Sequence, residues 1–411
     1  MTRAFAFVLS VLLAAPLAAQ SRPGFECDPG NAGLQLPDGF CALVFADGLG
    51  AARHMAVAAN GDVFVAVANG RGSQGAVIAL RDADGDGRAE VRERFGPTGG
   101  NGIWLRGEQL FFSPNDAVLR YRLPAGSLTP AGLPDTLVLG LPTGGHTAKS
   151  VVVTEDGSLF VNIGSRGNVC PVDRQQGSRG QDPCVELETR AGIWRFDADR
   201  LGQRQSDGVR FATGLRNTNA LTLGPDGVLF GAVHGRDQLF QGWGDLYDAE
   251  AGAELPSEKL VRIRLGDDFG WPYCYHDRFL GRLVLAPEYG GDAKSAGRCT
   301  EKTEPLVGFP GHWAPNGLAF YTGSLFPQPF RNGVFIAFHG SWNRSPLPQA
   351  GYNVAFQPMS GGRPSGEWSV FADGFRSLDP AGRPVGVAVG PDGSVFVSDD
   401  AGGRIFRIVP R

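Results

Sequence analysis

A short motif recurs along this chain: a turn of Asn-Gly or Asp-Gly type that runs straight into an apolar strand. It reads Asn60-Gly61-Asp62-Val63-Phe64-Val65, then more weakly Arg106-Gly107-Glu108-Gln109-Leu110-Phe111-Phe112, then Asp156-Gly157-Ser158-Leu159-Phe160-Val161. It returns as Asp226-Gly227-Val228-Leu229-Phe230, Asn332-Gly333-Val334-Phe335-Ile336 and Asp392-Gly393-Ser394-Val395-Phe396-Val397. Each copy is followed by a second apolar strand with alternating arginine or polar residues: Ala76–Leu80, Val118–Leu123, Gly192–Phe196, Leu260–Leu265, Asn353–Phe356 and Arg404–Val409. Alternation with period two in β-branched and aromatic residues is strand chemistry. Six such units, each one supersecondary element that cannot bury its faces alone, predict an all-β, six-bladed β-propeller. The spacing is uneven. Most of the excess lies around residues 240–330, which predicts a long insertion between the fourth and fifth blades on the binding face. Closure is expected from an N-terminal strand near Cys41–Phe45 pairing with the last blade near Arg404–Ile408. A β-sandwich or a pair of β-domains is the alternative architecture.

Composition agrees with many short strands. There are 61 Gly and 29 Pro in 411 residues, too many helix breakers for long helices, and 42% hydrophobic residues to fill a core. Lys and Arg (38) do not exceed Asp and Glu (42), and no basic run exists, so nucleic-acid binding is not expected.

The N-terminus reads Met1-Thr2-Arg3, an apolar run from Ala4 to Ala15, and a small-residue exit at Ala18-Ala19. This is the pattern of a secretory signal peptide over residues 1–19, leaving one propeller domain over 20–411 and a periplasmic or secreted protein. No other stretch approaches the length of a bilayer span, and no cysteine follows the signal to carry a lipid anchor. The six cysteines have no C-x-x-C or Cys/His metal spacing, which argues against zinc. Proximity alone favours the pairs Cys27–Cys41, Cys170–Cys184 and Cys274–Cys299, one of 15 possible connectivities.

Six segments then carry a family likeness: Ala52-Arg53-His54, Gly144-Gly145-His146-Thr147-Ala148-Lys149-Ser150, Gly214-Leu215-Arg216-Asn217, His234-Gly235-Arg236-Asp237, Asp268-Phe269-Gly270-Trp271-Pro272 and Gly382-Arg383-Pro384-Val385-Gly386. Together, and in this order, they resemble the pyrroloquinoline-quinone (PQQ)-dependent soluble sugar dehydrogenases, the glucose/sorbosone dehydrogenase family. The resemblance implies oxidation of a sugar hydroxyl or hydrated aldehyde with hydride transfer to the quinone. It implies His146 as the base and Arg216, beside Asn217, as the cation at the reactive quinone oxygen. Such a step suits a neutral imidazole and a preorganised guanidinium. Arg53, Lys149 and Arg383 stand where cofactor carboxylates would be paired, and Lys149 is one of only four lysines. The segment His339-Gly340-Ser341-Trp342-Asn343-Arg344 departs from the glucose-oxidising members, which have a lysine nearby, and this leaves the sugar open. The resemblance also implies Ca²⁺ held by the main-chain carbonyls of Gly235 and Arg236. With no C-x-x-C-H haem motif in the chain, electrons are expected to pass to a separate cytochrome or quinone acceptor.

A second metal signal stands apart from the family. Asp82, Asp84 and Asp86, with Gly87 and then Glu93, match positions 1, 3, 5, 6 and 12 of an EF-hand Ca²⁺ loop. The preceding Ala76–Leu80 reads as strand rather than helix, so an ordinary hairpin turn is the other reading. Two further functions compete with the dehydrogenase. A Ca²⁺-dependent propeller lactonase would use Asn217, Asn316, Asp237 and Glu254 as ligands. A non-catalytic glycan- or protein-binding propeller would stack sugars on Trp243, Trp271, Trp313 or Trp342. The four cations Arg53, Lys149, Arg216 and Arg383 favour the cofactor site over the metal hydrolase.

Overall fold

The structure is a computed structural model describing residues 24–70, 74–173, 175 and 177–411. The proposed signal peptide lies outside the described residues. The chain forms six four-stranded antiparallel sheets, the fifth extended by the short strand Arg363–Pro364. Their innermost strands are Ala52–Val57, Gly102–Arg106, Val151–Val153, Ala220–Leu223, Pro315–Phe320 and Pro384–Val389, and each touches the next until the sixth meets the first. That closed ring is a six-bladed propeller around a central channel.

The fully apolar second strands follow from their position between two neighbours. In Val63–Val67 of blade 1, Val63, Val65 and Val67 pack with Ala388, Phe396 and Ile405 of blade 6. Phe64 and Ala66 point the other way, onto Ile103, Leu110 and Phe112 of blade 2. Blade 5 repeats the division: Phe335 and Ala337 join one inter-blade cluster, Val334, Ile336 and Phe338 the next. Both faces of the strand are buried, so alternation gives way to a continuous apolar run.

The last sheet is completed by the first strand. Phe40–Ala46 pairs antiparallel with Arg404–Pro410, with Cys41 opposite Val409 and Val44 opposite Phe406. The ring is therefore closed by hydrogen bonds between the two ends of the chain. Phe40 also reaches across to blade 5, edge-on to Phe326 at 4.8 Å and Phe371 at 5.1 Å.

The extra length sits elsewhere than the repeat spacing predicts. It lies inside the fourth blade rather than between the fourth and fifth. One part, with two short helices Leu239–Gly242 and Ala249–Glu254, joins Leu229–Val233 to Glu258–Ile263. The other, with the hairpin Cys274–Asp277/Arg282–Leu285, intervenes before the outer strand Val307–Phe309. Turn spacing could not separate the two cases, because that outer strand is only three residues long. Cys27 is bonded to Cys41, Cys170 to Cys184 and Cys274 to Cys299. The first ties the N-terminal segment to the closing strand, and the other two brace long loops on the site face. Among the described residues no helix is long and apolar enough to cross a membrane.

Candidate active site

The inner strands begin at one end of the channel, and most of the predicted site residues lie at or just before those beginnings. Loops between second and third strands of the blades complete the rim. His146 stands on the loop leading into Val151–Val153. Its backbone is fixed by glycine on both sides of the contact. Gly145 has φ +61°, and a Cβ there would fall 2.3 Å from the Arg166 carbonyl oxygen. A Cβ on Gly164 would fall 2.6 Å from His146 Cβ.

His146 Nδ1 lies 3.0 Å from both the carbonyl oxygen and the hydroxyl oxygen of Ser165. A carbonyl only accepts, and the Ser165 hydroxyl donates its own proton to the Gly167 carbonyl at 2.6 Å. Nδ1 therefore carries the hydrogen, and the lone pair is on Nε2, which has no hydrogen-bond partner among the described residues. Burial, with Arg216 and His234 adding repulsion, lowers the ring to about 3. His146 is a neutral proton acceptor of defined tautomer.

Arg216 is almost buried. Its Nη1 donates to the Gly235 carbonyl at 2.7 Å and its Nη2 to Asp237 Oδ2 at 2.8 Å. Burial alone would raise Asp237, but Arg216, His312 and Asn343 outweigh it and hold the carboxyl well below the usual carboxylate range. Asn343 Nδ2 donates to Asp237 Oδ1 at 2.8 Å, His312 Nδ1 approaches the same oxygen at 3.3 Å, and Asn168 bonds both backbone groups of Asp237. Glu258 lies fully buried behind this layer. Burial pushes it up to about 6, while it accepts from the backbone N–H groups of Gly235 and Ala314.

A second group closes the opposite side of the mouth. Arg53 donates through Nη1 to Asp400 Oδ2 at 2.6 Å and through Nε to Asn101 Oδ1 at 2.9 Å. His339 Nε2 bonds the other Asp400 oxygen at 2.9 Å, and Arg383 donates to the carbonyls of His339 and Gly340. Beneath both groups runs a buried amide chain. Asn101 Nδ2 donates to Asn219 Oδ1, Asn219 Nδ2 to Asn316 Oδ1, and His234 Nε2 lies 3.1 Å from that same Asn316 oxygen. His54 Nε2 donates to the Asn316 carbonyl at 2.7 Å. This layer separates the mouth from an apolar cavity of about 320 Å³ at the far end, walled by residues such as Val57, Ile103, Leu223, Phe320 and Val389.

The geometry thus brings His146, Arg216 and Asn217 together and places Arg53 and Arg383 on the rim. Lys149 behaves differently. It is fully buried, and its Nζ donates to the backbone carbonyls of Pro142, at 3.0 Å, and Thr147. Burial, then Arg190, lowers it to about 8. Its ammonium holds the loop that carries His146. Of the residues suited to a lactonase metal, Glu254 is held by Arg344 and Arg278, and Asp237 by Arg216. The metal-compatible carboxylate cluster found among the described residues is remote from the channel. Asp82, Asp84, Asp86 and Glu90 bring ligand atoms within 4.8 Å of one another on an outer turn of blade 1. Glu93, at the twelfth loop position, lies instead in the strand Val91–Phe95, opposite Ala79.

Sequence reasoning overlooked Asn168, Glu258, Asn101, Asn219 and Asp400. Asparagine and aspartate between strands read as turn formers, and nothing in spacing aims them at one channel. A fit for a polyanionic cofactor is visible in what remains unpaired. Arg216 Nε and the side-chain oxygens of Asn217 and Asn343 are buried with no hydrogen-bond partner among the described residues. Unsatisfied polar atoms beside fixed cations suit a ligand that both donates and accepts.

The family model described as TrAA12-like matches residues 34–411. The chain is 28% identical over 321 residues to a pyrroloquinoline quinone-dependent pyranose dehydrogenase of Coprinopsis cinerea, covering 66% of this chain and 41% of that protein. It is 30% identical over 271 residues to an uncharacterized protein of Borreliella burgdorferi, covering 64% and 60% of the two chains. The chain therefore spans 41% and 60% of the length of these two curated relatives. Among solved structures, the holo PQQ domain of the Coprinopsis cinerea pyranose dehydrogenase superposes with TM-score 0.73 at 22% identity, over 95% of this chain and 98% of that one. The calcium structure of a Trichoderma reesei carbohydrate-active enzyme of family AA12 gives TM-score 0.75 at 18% identity, over 96% and 100%. Both likenesses concern the fold.

Proposed function

Because the chain belongs to the TrAA12-like family, we propose that it is a PQQ- and Ca²⁺-dependent sugar dehydrogenase. It would oxidise a CH–OH or hydrated aldehyde carbon and pass electrons to a separate cytochrome or quinone acceptor. The observation that carries this reading is His146, with Nδ1 committed to Ser165 and a free lone pair on Nε2, beside a buried arginine. PQQ, when bound, supplies the two-electron acceptor.

The chain's own residues do the rest. His146 Nε2 takes the proton of the sugar hydroxyl, and Ser165 keeps the ring in the tautomer that can do so. Arg216, held by Asp237 and Gly235, presents fixed positive charge where negative charge develops on oxygen, at no reorganisation cost. Arg53, Arg383 and Asn217 would grip cofactor carboxylates and carbonyls, while Lys149 positions the His146 loop. A hard cation would use the carbonyl oxygens of Gly235 and Arg236. A carbonyl has two lone pairs, and Arg216 occupies one on Gly235. The Asp82-Asp84-Asp86 turn, with Glu90, would hold a structural Ca²⁺ by the same hard-oxygen ligand chemistry. The three disulfides support export to the periplasm or the exterior.

The test is a titration of the purified protein with PQQ in CaCl₂, followed by a panel of pyranoses, aldoses and lactones. Stoichiometric binding and sugar-driven bleaching of the quinone absorbance are expected. Absence of binding at micromolar PQQ, or turnover of lactones alone, removes the dehydrogenase reading.

A further inference from the structure

Of the four tryptophans that could face a sugar, three are committed to packing. Trp271 is buried. Trp243 packs among Leu239 and Tyr247 with its Nε1 on Glu288. Trp313 lies edge-on to Phe338 and Trp368. Trp342 is 69% exposed.

The exposure is not that of a loose loop. Ser341 N–H donates to the Ala350 carbonyl at 2.9 Å, and its hydroxyl donates to Gln349 Oε1 at 2.7 Å. On the other side, Asn343 Nδ2 donates to Asp237 Oδ1, and Arg344 donates to the carbonyls of Ala253 and Gly311 while pairing with Glu254. The backbone is pinned immediately before and after the indole, so the ring is presented to solvent by a fixed loop. Asn343 connects that loop to Asp237, the carboxylate that orients Arg216. An indole held out by a fixed loop, next in sequence to the asparagine that reaches the Arg216–Asp237 pair, offers an apolar face to a ligand entering that site.

We propose that Trp342 is the platform on which the C–H face of a pyranose ring stacks at the channel mouth, setting affinity and preference among sugars. This rests on the sugar dehydrogenase reading. A flat indole face accepts the axial hydrogens of one pyranose face, so sugars with an axial hydroxyl on that face bind less well.

The test compares Trp342→Ala and Trp342→Phe with the parent at saturating PQQ and Ca²⁺. For the alanine variant KM should rise roughly threefold to tenfold with kcat within about twofold, and phenylalanine should recover most of the loss. The PQQ titration and Tm should be unchanged in both. In parallel, sugar added without cofactor should shift the tryptophan emission of the parent and not that of Trp342→Phe. An unchanged KM, or loss of PQQ binding in Trp342→Ala, overturns the assignment. If the parent oxidises no sugar, the dehydrogenase reading fails, and the emission experiment still decides whether Trp342 contacts a sugar.

Discussion

At the scale of single residues, the neutral tautomer of His146 is the property on which the chemistry depends. Replacing it by alanine removes the proton acceptor and leaves Gly145, Gly164 and the Ser165 backbone as they are. His146→Ala is therefore expected to lower kcat by about 10²- to 10⁴-fold with little change in Tm, measured by steady-state turnover and thermal melting. A collapse of Tm instead would make His146 a folding residue. Ser165→Ala tests positioning: the carbonyl still accepts from Nδ1, so kcat should fall by only a few-fold. His146 and Arg216 were legible in the sequence because each sits in a segment with family likeness. Lys149 sits in such a segment too, yet its ammonium faces Pro142 and Thr147. A motif fixes a backbone position, whereas the direction of a long side chain depends on carbonyls several residues away. Asn101 and Asn219 show the opposite failure: two unremarkable loop-edge amides join Asn316 in one buried chain only once six strands converge.

Among the elements, the repeated turn-and-strand unit was readable because burial on both faces writes itself as an apolar run. The insertion was misassigned between blades because Val307–Phe309 is too short to register as a strand. Two elements invite direct tests. Phe40, on the closing strand, is 2% exposed and packs against Phe326, Phe330 and Phe371. Phe40→Ala should cost about 3–5 kcal/mol, read from denaturant unfolding, and should lower the stability of the whole ring. If only the last blade loosens, hydrogen exchange will show protection lost there alone. The Asp82–Glu90 turn makes a separate claim. If Ca²⁺ holds it, EDTA should lower the Tm of the parent by several degrees more than that of Asp84→Ala, which keeps the carbonyl site of Gly235 and Arg236. Equal responses in the two proteins would assign the stabilising cation elsewhere.

For the molecule as a whole, buried imidazoles make stability depend on pH. Burial lowers His54, His234 and His276 to about 4 and His146 to about 3, from the ordinary 6.5, and lowers His339 as well. Between these values and 6.5 the unfolded chain binds more protons than the native one. Their contribution is complete above 6.5 and is lost as pH falls, at up to about 1.4 kcal/mol per pH unit for each ring. Two groups oppose this. Glu258 is raised to about 6, so its contribution is present below 4.5 and lost as pH rises through 6. For His312, burial is outweighed by Asp237 and the Gly252 carbonyl, so its stabilisation is present below 6.5 and lost above. Five rings outweigh two groups, and Tm should fall by several degrees between pH 7 and pH 5. A flat profile would mean that most of the five are charged in the folded protein.

The pairing of Phe40–Ala46 with Arg404–Pro410 also has a consequence for how the chain is made. The strand Phe40–Ala46 emerges from the ribosome long before its partner and can pair only once Arg404–Pro410 has been made. Until then the ring is an open arc, with Phe40, Phe45 and the edge of the closing strand uncovered. A truncated product that stops short of Arg404 can never shut it. Only a chain translated through the strand Arg404–Pro410 hides its own first strand, and any shorter one displays a sticky edge to chaperones and proteases.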